Sequence, residues 1–591
     1  MTPPRQLIAG LRIFKSSREP PRLLRSSDFL VAAGPCRPGH LIRTMSSSQA
    51  KGRDFNKWTK ESLVEHILRL ENELKNRPAE TEKPAEGAAA ESEGPLPKRQ
   101  KRELDLSRYC TRLIALKFAY LGKNYSGFEF TSGGKTPSIE EEIWKALLTA
   151  RLIAPERPEE VNFSPFEYSK CGRTDRGVSA FGQVIGIRVR SSKLRRVQAS
   201  QASLEGHEGE ADAAGEPSVD PQADEDDTPL PVDQEMEYCK VLNRLLPPDI
   251  RIYAWCPVPP PDFSARFSCR ERQYRYFFTL PAFAPVPSSM DDQNSRNLVK
   301  PGWLDIEAMR EAAKLYEGLH DFRNFCKVDP SKQITNFVRR IYEADIVEVK
   351  DIDSSIPFLS DSQFRPASLA EGTFPKVYYF HVRGSAFLWH QIRHMVSILF
   401  LVGQGLESPS VVSDLLDVER YPRKPNYVLA DDQPLVLWDC IFGREGEEGD
   451  DDTLDWVYVG QDDAVNLHGF RGLIDNLWET WRERKMDEIL ANRLLDWVFT
   501  KADPRRTAVS KRKPTASVKV FEGANSVKPL GKYVPLSKKH FLPTPEETND
   551  KYAQRKGFAN SEEMRARGNW RSELRAAKKG APVSVDDDAD E

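Results

Sequence analysis

Apolar and polar residues alternate along RLIALKFAYLG, from Arg112, and this period of two predicts a β-strand beginning order near Tyr109. Ser138 with Glu141 makes a capping box, and Ile139, Ile143, Ala146 and Leu147 give the helix behind it an apolar face. FEYSKCG reads as a strand leading into a loop at Arg173–Gly177, and QVIGIRVRS as another strand. A helix follows at MEYCKVLNRLLP, then strands at IRIYAWCPV and, as one long β segment, ARFSCRERQYRYFFTL. A second run repeats the style. It has a helix near Leu304–Leu319, strands at TNFVRRIYEADIVEV and KVYYFHVRGS, and a helix at FLWHQIRHMVSILFLVGQG with Leu388, Ile392, Met395, Val396 and Leu399 on one face. PLVLWDCIF reads as the last core strand. The pattern predicts an α+β chain with two related halves and a mostly antiparallel sheet.

Outside this region the periodicity fades. Residues 198–235 are polar and acidic and predict a disordered insertion, because such composition buries too little surface to offset chain entropy. Leu63, Ile67, Leu70 and Leu74 repeat at coiled-coil spacing behind a Thr59 cap, predicting a short amphipathic helix. Residues 461–499 contain helical stretches, and 500–591 are basic and Pro-punctuated, read as an extended tail that either touches phosphate or is simply solvated. The resulting division is a leader (1–51), a helix (52–76), a linker with a basic cluster (77–107), two halves (108–281 and 282–445) and a C-terminal extension (446–591), helical and then largely disordered.

Composition adds constraints. The net charge of −3 over 591 residues hides an uneven distribution, with the acidic insertion and the DDDADE tail cancelling basic surface elsewhere. The eight cysteines lie far apart without a C-x-x-C pair, which predicts a reducing compartment, no disulfide framework and no metal site. No apolar run approaches the roughly 20 residues a membrane span needs. The Arg- and Ser-rich leader fits a mitochondrial transit peptide, and equally a plain extension before a second start at Met45. PKRQKRE, from Pro97, fits a nuclear localisation signal or a solvated linker.

The candidate chemistry lies in KCGRTDRGVSAFGQV, from Lys170 to Val184. It sets Asp175 between Arg173 and Arg176 with glycine on both sides. Glycine lets backbone turn sharply or approach a ligand, and a nearby cation favours an ionised carboxylate. Taken alone, a structural Asp–Arg turn is the commoner explanation. Three distant stretches bear on it. FSARFSCRERQYRYFF, from Phe263, interleaves cations with aromatics, suiting phosphate and base contacts or else a two-faced edge strand. GLHDFRNFCK, from Gly318, mixes the same residue types. GSAFLWHQIRHMVSILF places Arg393 in an apolar helix, where it needs an anionic partner, either Asp175 or another acid.

Together these stretches resemble the TruA family of tRNA pseudouridine synthases over roughly residues 108–443. GRTDRGVSAFGQV is similar to that family's signature loop, with Asp175 at the catalytic aspartate. VLNRLLPPDIRI leads, as in the family, to F-x-A-R-F-S at Phe263–Ser268. Tyr274 matches the tyrosine of the Y-x-Y motif, and Arg393 the helix arginine that pairs with the aspartate. GLHDFRNFCKVD, FLVGQG and RLENEL are similar to the eukaryotic branch that modifies tRNA positions 38 and 39. The insertion, the leader, Arg176 and Ser179 depart from bacterial members.

The resemblance implies two RRM-like halves around one sheet, a homodimer, and tRNA as partner, without cofactor, metal or membrane. It implies that an anticodon-arm uridine is flipped into a cleft, that Tyr274 packs on the uracil, and that Asp175 acts at the ribose as nucleophile or base. Arg393 would hold Asp175 ionised, while Arg173 and Arg266 would contact substrate. It implies nuclear and cytoplasmic residence with a mitochondrial pool if the leader targets there. Two rivals stand beside this reading: a relative with broader RNA targets, and a non-catalytic RNA-binding chaperone, which would be marked by loss of Asp175, Tyr274 or Arg393.

Overall fold

The computed structural model describes residues 105–195, 229–286, 299–349, 375–443, 453–461, 464–502, 518–530, 532–568 and 570. The leader, the helix at 58–75, the basic cluster at 97–103, residues 198–228 of the insertion and the end of the chain lie outside them.

The first half opens with β1 (Tyr109–Tyr120) and α1 (Ile139–Thr149). Ser138 caps α1 by accepting from the Glu141 N–H, and Glu140, Glu141 and Glu142 occupy the positive end of the helix dipole. Ile139, Ile143, Ala146 and Leu147 are buried, as the 3.6-residue period requires. Next come β2 (Ser169–Lys170), β3 (Ser179–Leu194), α2 (Tyr238–Asn243) and β4 (Ile250–Cys256). The second half runs β5 (Glu271–Leu280), α3 (Ile306–Lys314), β6 (Gly318–Asp321), β7 (Val338–Glu348), β8 (Lys376–Gly384), α4 (Gln391–Gly403), α5 (Val411–Leu416) and β9 (Leu435–Ile441). After it come β10 (Val457–Tyr458), α6 (Ala464–His468), α7 (Leu473–Ala502), β11 (Val518–Val520), β12 (Lys528–Leu530), α8 (Pro545–Arg555) and α9 (Ser561–Ala566).

β1 to β10 form one sheet in the order β10-β4-β1-β3-β9-β5-β8-β7-β6, with β2 on β3. The strand read as the last of the core is therefore the central one. β9 runs parallel to β3, pairing Ala180 with Leu437, and antiparallel to β5, pairing Leu437 with Tyr274. The other pairings in the sheet are antiparallel. The helices cover two apolar cores, one per half, and Tyr274 packs against both.

Three expectations are corrected. The predicted β segment from Ala265 becomes a strand only at Glu271, because Phe267 and Ser268 donate back to the Ser264 carbonyl in a tight turn. Residues 229–235, assigned to the insertion, are ordered, and Glu235 is a buried acid paired with Arg112 at 2.9 Å. The tail is also not uniformly extended. Val520, Phe521 and Leu536 are buried in the second core, and Phe521 packs edge-on to Phe400 at 4.8 Å. The Gln404 amide brackets Phe521, accepting from its N–H at 2.8 Å and donating to its carbonyl at 3.2 Å. A three-residue strand and scattered single apolar residues carry no period for sequence reading to detect.

The Arg112–Glu235 pair generates a pH prediction. Burial pushes the Glu235 carboxyl up, but the Ser191 hydroxyl, the Met236 and Ser192 N–H groups and Arg112 outweigh it and hold the group at about 2, against an ordinary value of 4.5. Its contribution to stability is therefore complete above pH 4.5 and is lost as pH falls towards 2. Glu235→Ala leaves Arg112 buried and unpaired, so unfolding at neutral pH should become easier by about 3–5 kcal/mol. Thermal melts should show the gap between variant and wild type narrowing below pH 4.5.

Candidate active site

The candidate loop is locked by backbone contacts before any of its charges are considered. Gln183, fully buried on β3, accepts from the Gly172 N–H and donates to the Gly172 carbonyl, both at 3.0 Å. The Thr174 hydroxyl bonds the buried Tyr120 hydroxyl at 2.7 Å, and the Thr174 carbonyl accepts from Phe128 N–H at 3.0 Å. The Asp175 carbonyl accepts from Val178 N–H at 3.2 Å, closing a turn with Gly177 third at φ 80°. A type II turn requires such a φ there, which glycine supplies without strain. A side chain at 177 would also meet an Asp432 carboxylate oxygen at 2.5 Å. At the loop's entry, Lys170 is held by Glu140 at 2.6 Å and Glu129 at 3.0 Å.

The opposite wall is the turn into α4. Phe387 meets the Tyr274 ring edge-on at 5.2 Å, and His390 places Nε2 3.3 Å from the Asp175 carboxylate. One tetrapeptide, Phe387–His390, thus touches both the candidate tyrosine and the candidate acid. His390 has the left-handed backbone (φ 61°, ψ 9°), a strained state for a non-glycine residue and a mark of functional geometry. Strand register supplies the spacing. Ala180, Leu437 and Tyr274 are neighbours across three strands, which separates the loop's exit from Tyr274 by about 10 Å.

The electrostatics differ from the expectation of a carboxylate held down by Arg173 and Arg176. Both arginines are exposed, and Arg173 pairs with Glu129 at 3.3 Å. Burial pushes Asp175 above the ordinary aspartate range. The Arg393 guanidinium is the largest opposing influence, followed by the Trp389 indole; Asp432 adds to the rise and Lys327 opposes it. Arg393 makes its ion pair with Asp432 at 3.7 Å and donates to the Ala430 carbonyl at 2.8 Å, so of the two partners left open by sequence the structure gives the other acid. It reaches Asp175 as a fixed charge. Burial, with Arg393, Lys327 and Lys424 nearby, drops His390 to about 3, so a neutral imidazole faces the Asp175 carboxylate with Nε2 at 3.3 Å.

Around this half-buried centre lie exposed cations and rings. Trp389 is 39% exposed and lies under the Lys327 ammonium at 4.3 Å. Arg266 is exposed beside Phe267, which is 82% exposed. Asp175, Tyr274 and Arg393 are therefore gathered in one place, with Arg173 and Arg266 on the surface. Sequence reading missed His390, Trp389, Phe387 and Asp432. The first three sit inside a quoted stretch where the aromatic run was credited to the helix. Asp432, in ADDQP, carries no local signal.

A half-buried carboxylate facing an aromatic shelf, under a cationic rim and between two α+β halves, suits an enzyme that acts on nucleic acid. Comparison with known proteins gives the family. A profile described as tRNA pseudouridine synthase matches residues 312–443. The tRNA pseudouridine(38/39) synthase of Saccharomyces cerevisiae is 33% identical over 520 residues, covering 86% of this chain and 93% of that protein. The human protein of the same name is 35% identical over 410 residues, 69% of each chain. An archaeal tRNA pseudouridine synthase A, from Methanothermobacter thermautotrophicus, is 29% identical over 336 residues, 56% of this chain and 82% of its own. The chain belongs to the TruA-type tRNA pseudouridine synthase family.

Proposed function

We propose that this enzyme converts uridine to pseudouridine at positions 38 and 39 of the tRNA anticodon stem-loop, with Asp175 acting at the ribose. The observation that carries the reading is the half-buried Asp175 carboxylate, 26% exposed, faced by neutral His390 and the fixed charge of Arg393, with Tyr274 and Phe387 adjoining. The flipped uracil lies on the Tyr274 ring, and extrusion costs a few kcal/mol, offset by stacking and phosphate contacts. Asp175 attacks or deprotonates the ribose. The N1–C1′ bond breaks, the uracil turns while held, and C5 bonds C1′; the C5 proton leaves and N1 gains one, so mass is unchanged. Arg173, Arg266, Lys327 and Trp389 hold the RNA backbone and unstacked bases at the rim. Similarity to the yeast and human enzymes supports the choice of positions.

The proposed assembly is a homodimer through α7. Along that helix Trp478 and Trp481, three residues apart, and Leu490, Leu494 and Trp497, at spacings of four and three, are 50–68% exposed. Two exposed apolar clusters on one long helix fit burial against a second copy of the same helix. Light scattering of the full chain should give twice the chain mass, and Trp481→Glu with Leu490→Glu should give the monomer; a monomeric wild type removes the proposal.

Asp175→Asn should bind an anticodon-arm RNA within about threefold of wild type, since the change is isosteric and the rim is intact, yet release no tritium from 5-tritiated uridine. Retained turnover would refute the role of Asp175. Normal turnover that spares uridines 38 and 39 would refute the choice of target alone.

A further inference from the structure

The eight cysteines show no ligand spacing in sequence, yet the fold brings three together. Cys171 begins the Asp175 loop, Cys269 ends the turn before β5, and Cys440 lies on β9. All three are buried, and their Sγ atoms lie within 4.8 Å of one another. Three thiolates on a tetrahedral zinc, with Zn–S near 2.3 Å, sit about 3.8 Å apart, so the triad needs a contraction of at most about 1 Å to close on an ion.

A second observation points to a net negative charge at this spot. Arg272 extends its guanidinium beside the triad. It donates to the carbonyls of Ser385 at 2.8 Å, Arg266 at 2.9 Å, Cys269 at 3.3 Å and Cys171 at 3.4 Å. No carboxylate pairs with it among the described residues, and two of its four carbonyl partners belong to the cysteines themselves. A half-buried guanidinium with carbonyls alone around it lacks a counter-charge, and the sulfurs are placed to supply it.

We infer that Cys171, Cys269 and Cys440 form a zinc site, a tris-thiolate balanced by Arg272, that ties the Asp175 loop to the Tyr274 strand and the central strand. Zinc displaces the thiol protons as it binds, with no change of oxidation state. Three thiolates and a divalent ion leave one negative charge, which the guanidinium cancels; copper(I) would leave two. The Glu271 carbonyl, 3.3 Å from the Cys269 sulfur, is an oxygen within reach of a fourth position. The site is a brace set beneath the catalytic groups, and its existence does not depend on the reaction proposed above.

The test is metal analysis of the full chain, expressed with added zinc and purified under a phosphine reductant without chelator. The expected result is one zinc per chain, lost in Cys171→Ser, Cys269→Ser and Cys440→Ser and kept in Cys110→Ser, whose cysteine lies elsewhere. Should the triad variants fold poorly, cobalt(II) added to wild-type apoprotein should give an intense near-ultraviolet thiolate-to-metal band with uptake of one equivalent. Four outcomes would overturn the site: a reconstituted wild type without zinc, zinc retained by the triad variants, copper in its place, or a disulfide among the three cysteines under reductant.

Discussion

The structure depends on shielding one carboxylate from most of the bulk water without neutralising it. Removing a carboxylate from water costs several kcal/mol unless fixed charges and donors replace the solvent. At Asp175 the replacement is assembled from one turn and one helix end. His390 sets its ring nitrogen 3.3 Å from the carboxylate, Trp389 turns its indole to it, and Arg393 supplies a fixed charge. Asp432 works against them while holding Arg393 in place. A carboxylate balanced in this way is more basic than one in water, which suits a group that must give its electrons to a sugar carbon or take a proton from it.

The fold serves that balance by joining two halves at one strand. β9 pairs with β3 just beyond the Asp175 loop and with β5 at Tyr274. Both apolar cores meet at Tyr274, so a shift of either half moves the aromatic shelf relative to the acid. The C-terminal segment adds a strap. The carbonyl of Glu522 accepts from the Asp431 N–H at 3.0 Å, and the His540 carbonyl from the Asn426 N–H at 2.8 Å. The stretch that presents Asp432 is therefore fixed from behind by residues over ninety positions downstream. That gives the extension a structural purpose its composition does not suggest.

What sequence could and could not convey follows from range. β1, α1, β3 and α4 were legible because burial imposes a period of 2 or 3.6 on adjacent residues. The Asp175 loop was legible because its glycines and charges are contiguous. The Arg393–Asp432 pair and the cysteine triad were not, because they join residues 39 and 269 positions apart through strand order, which no local pattern encodes. The direction of the Asp175 shift was misjudged for a related reason. Adjacent arginines in sequence point to solvent, and the controlling cation comes from a helix more than 200 residues away.

The central claim is tested most directly by the pH dependence of single-turnover pseudouridine formation, compared among wild type, Asp432→Asn and Arg393→Gln. The wild-type acid limb should lie above the ordinary aspartate value of 3.8, because burial outweighs the cations. Removing Asp432 deletes a like charge and frees Arg393, so the limb should move to lower pH; removing Arg393 should move it higher. Limbs that stay together in all three proteins, or that shift in the opposite order, would contradict the account.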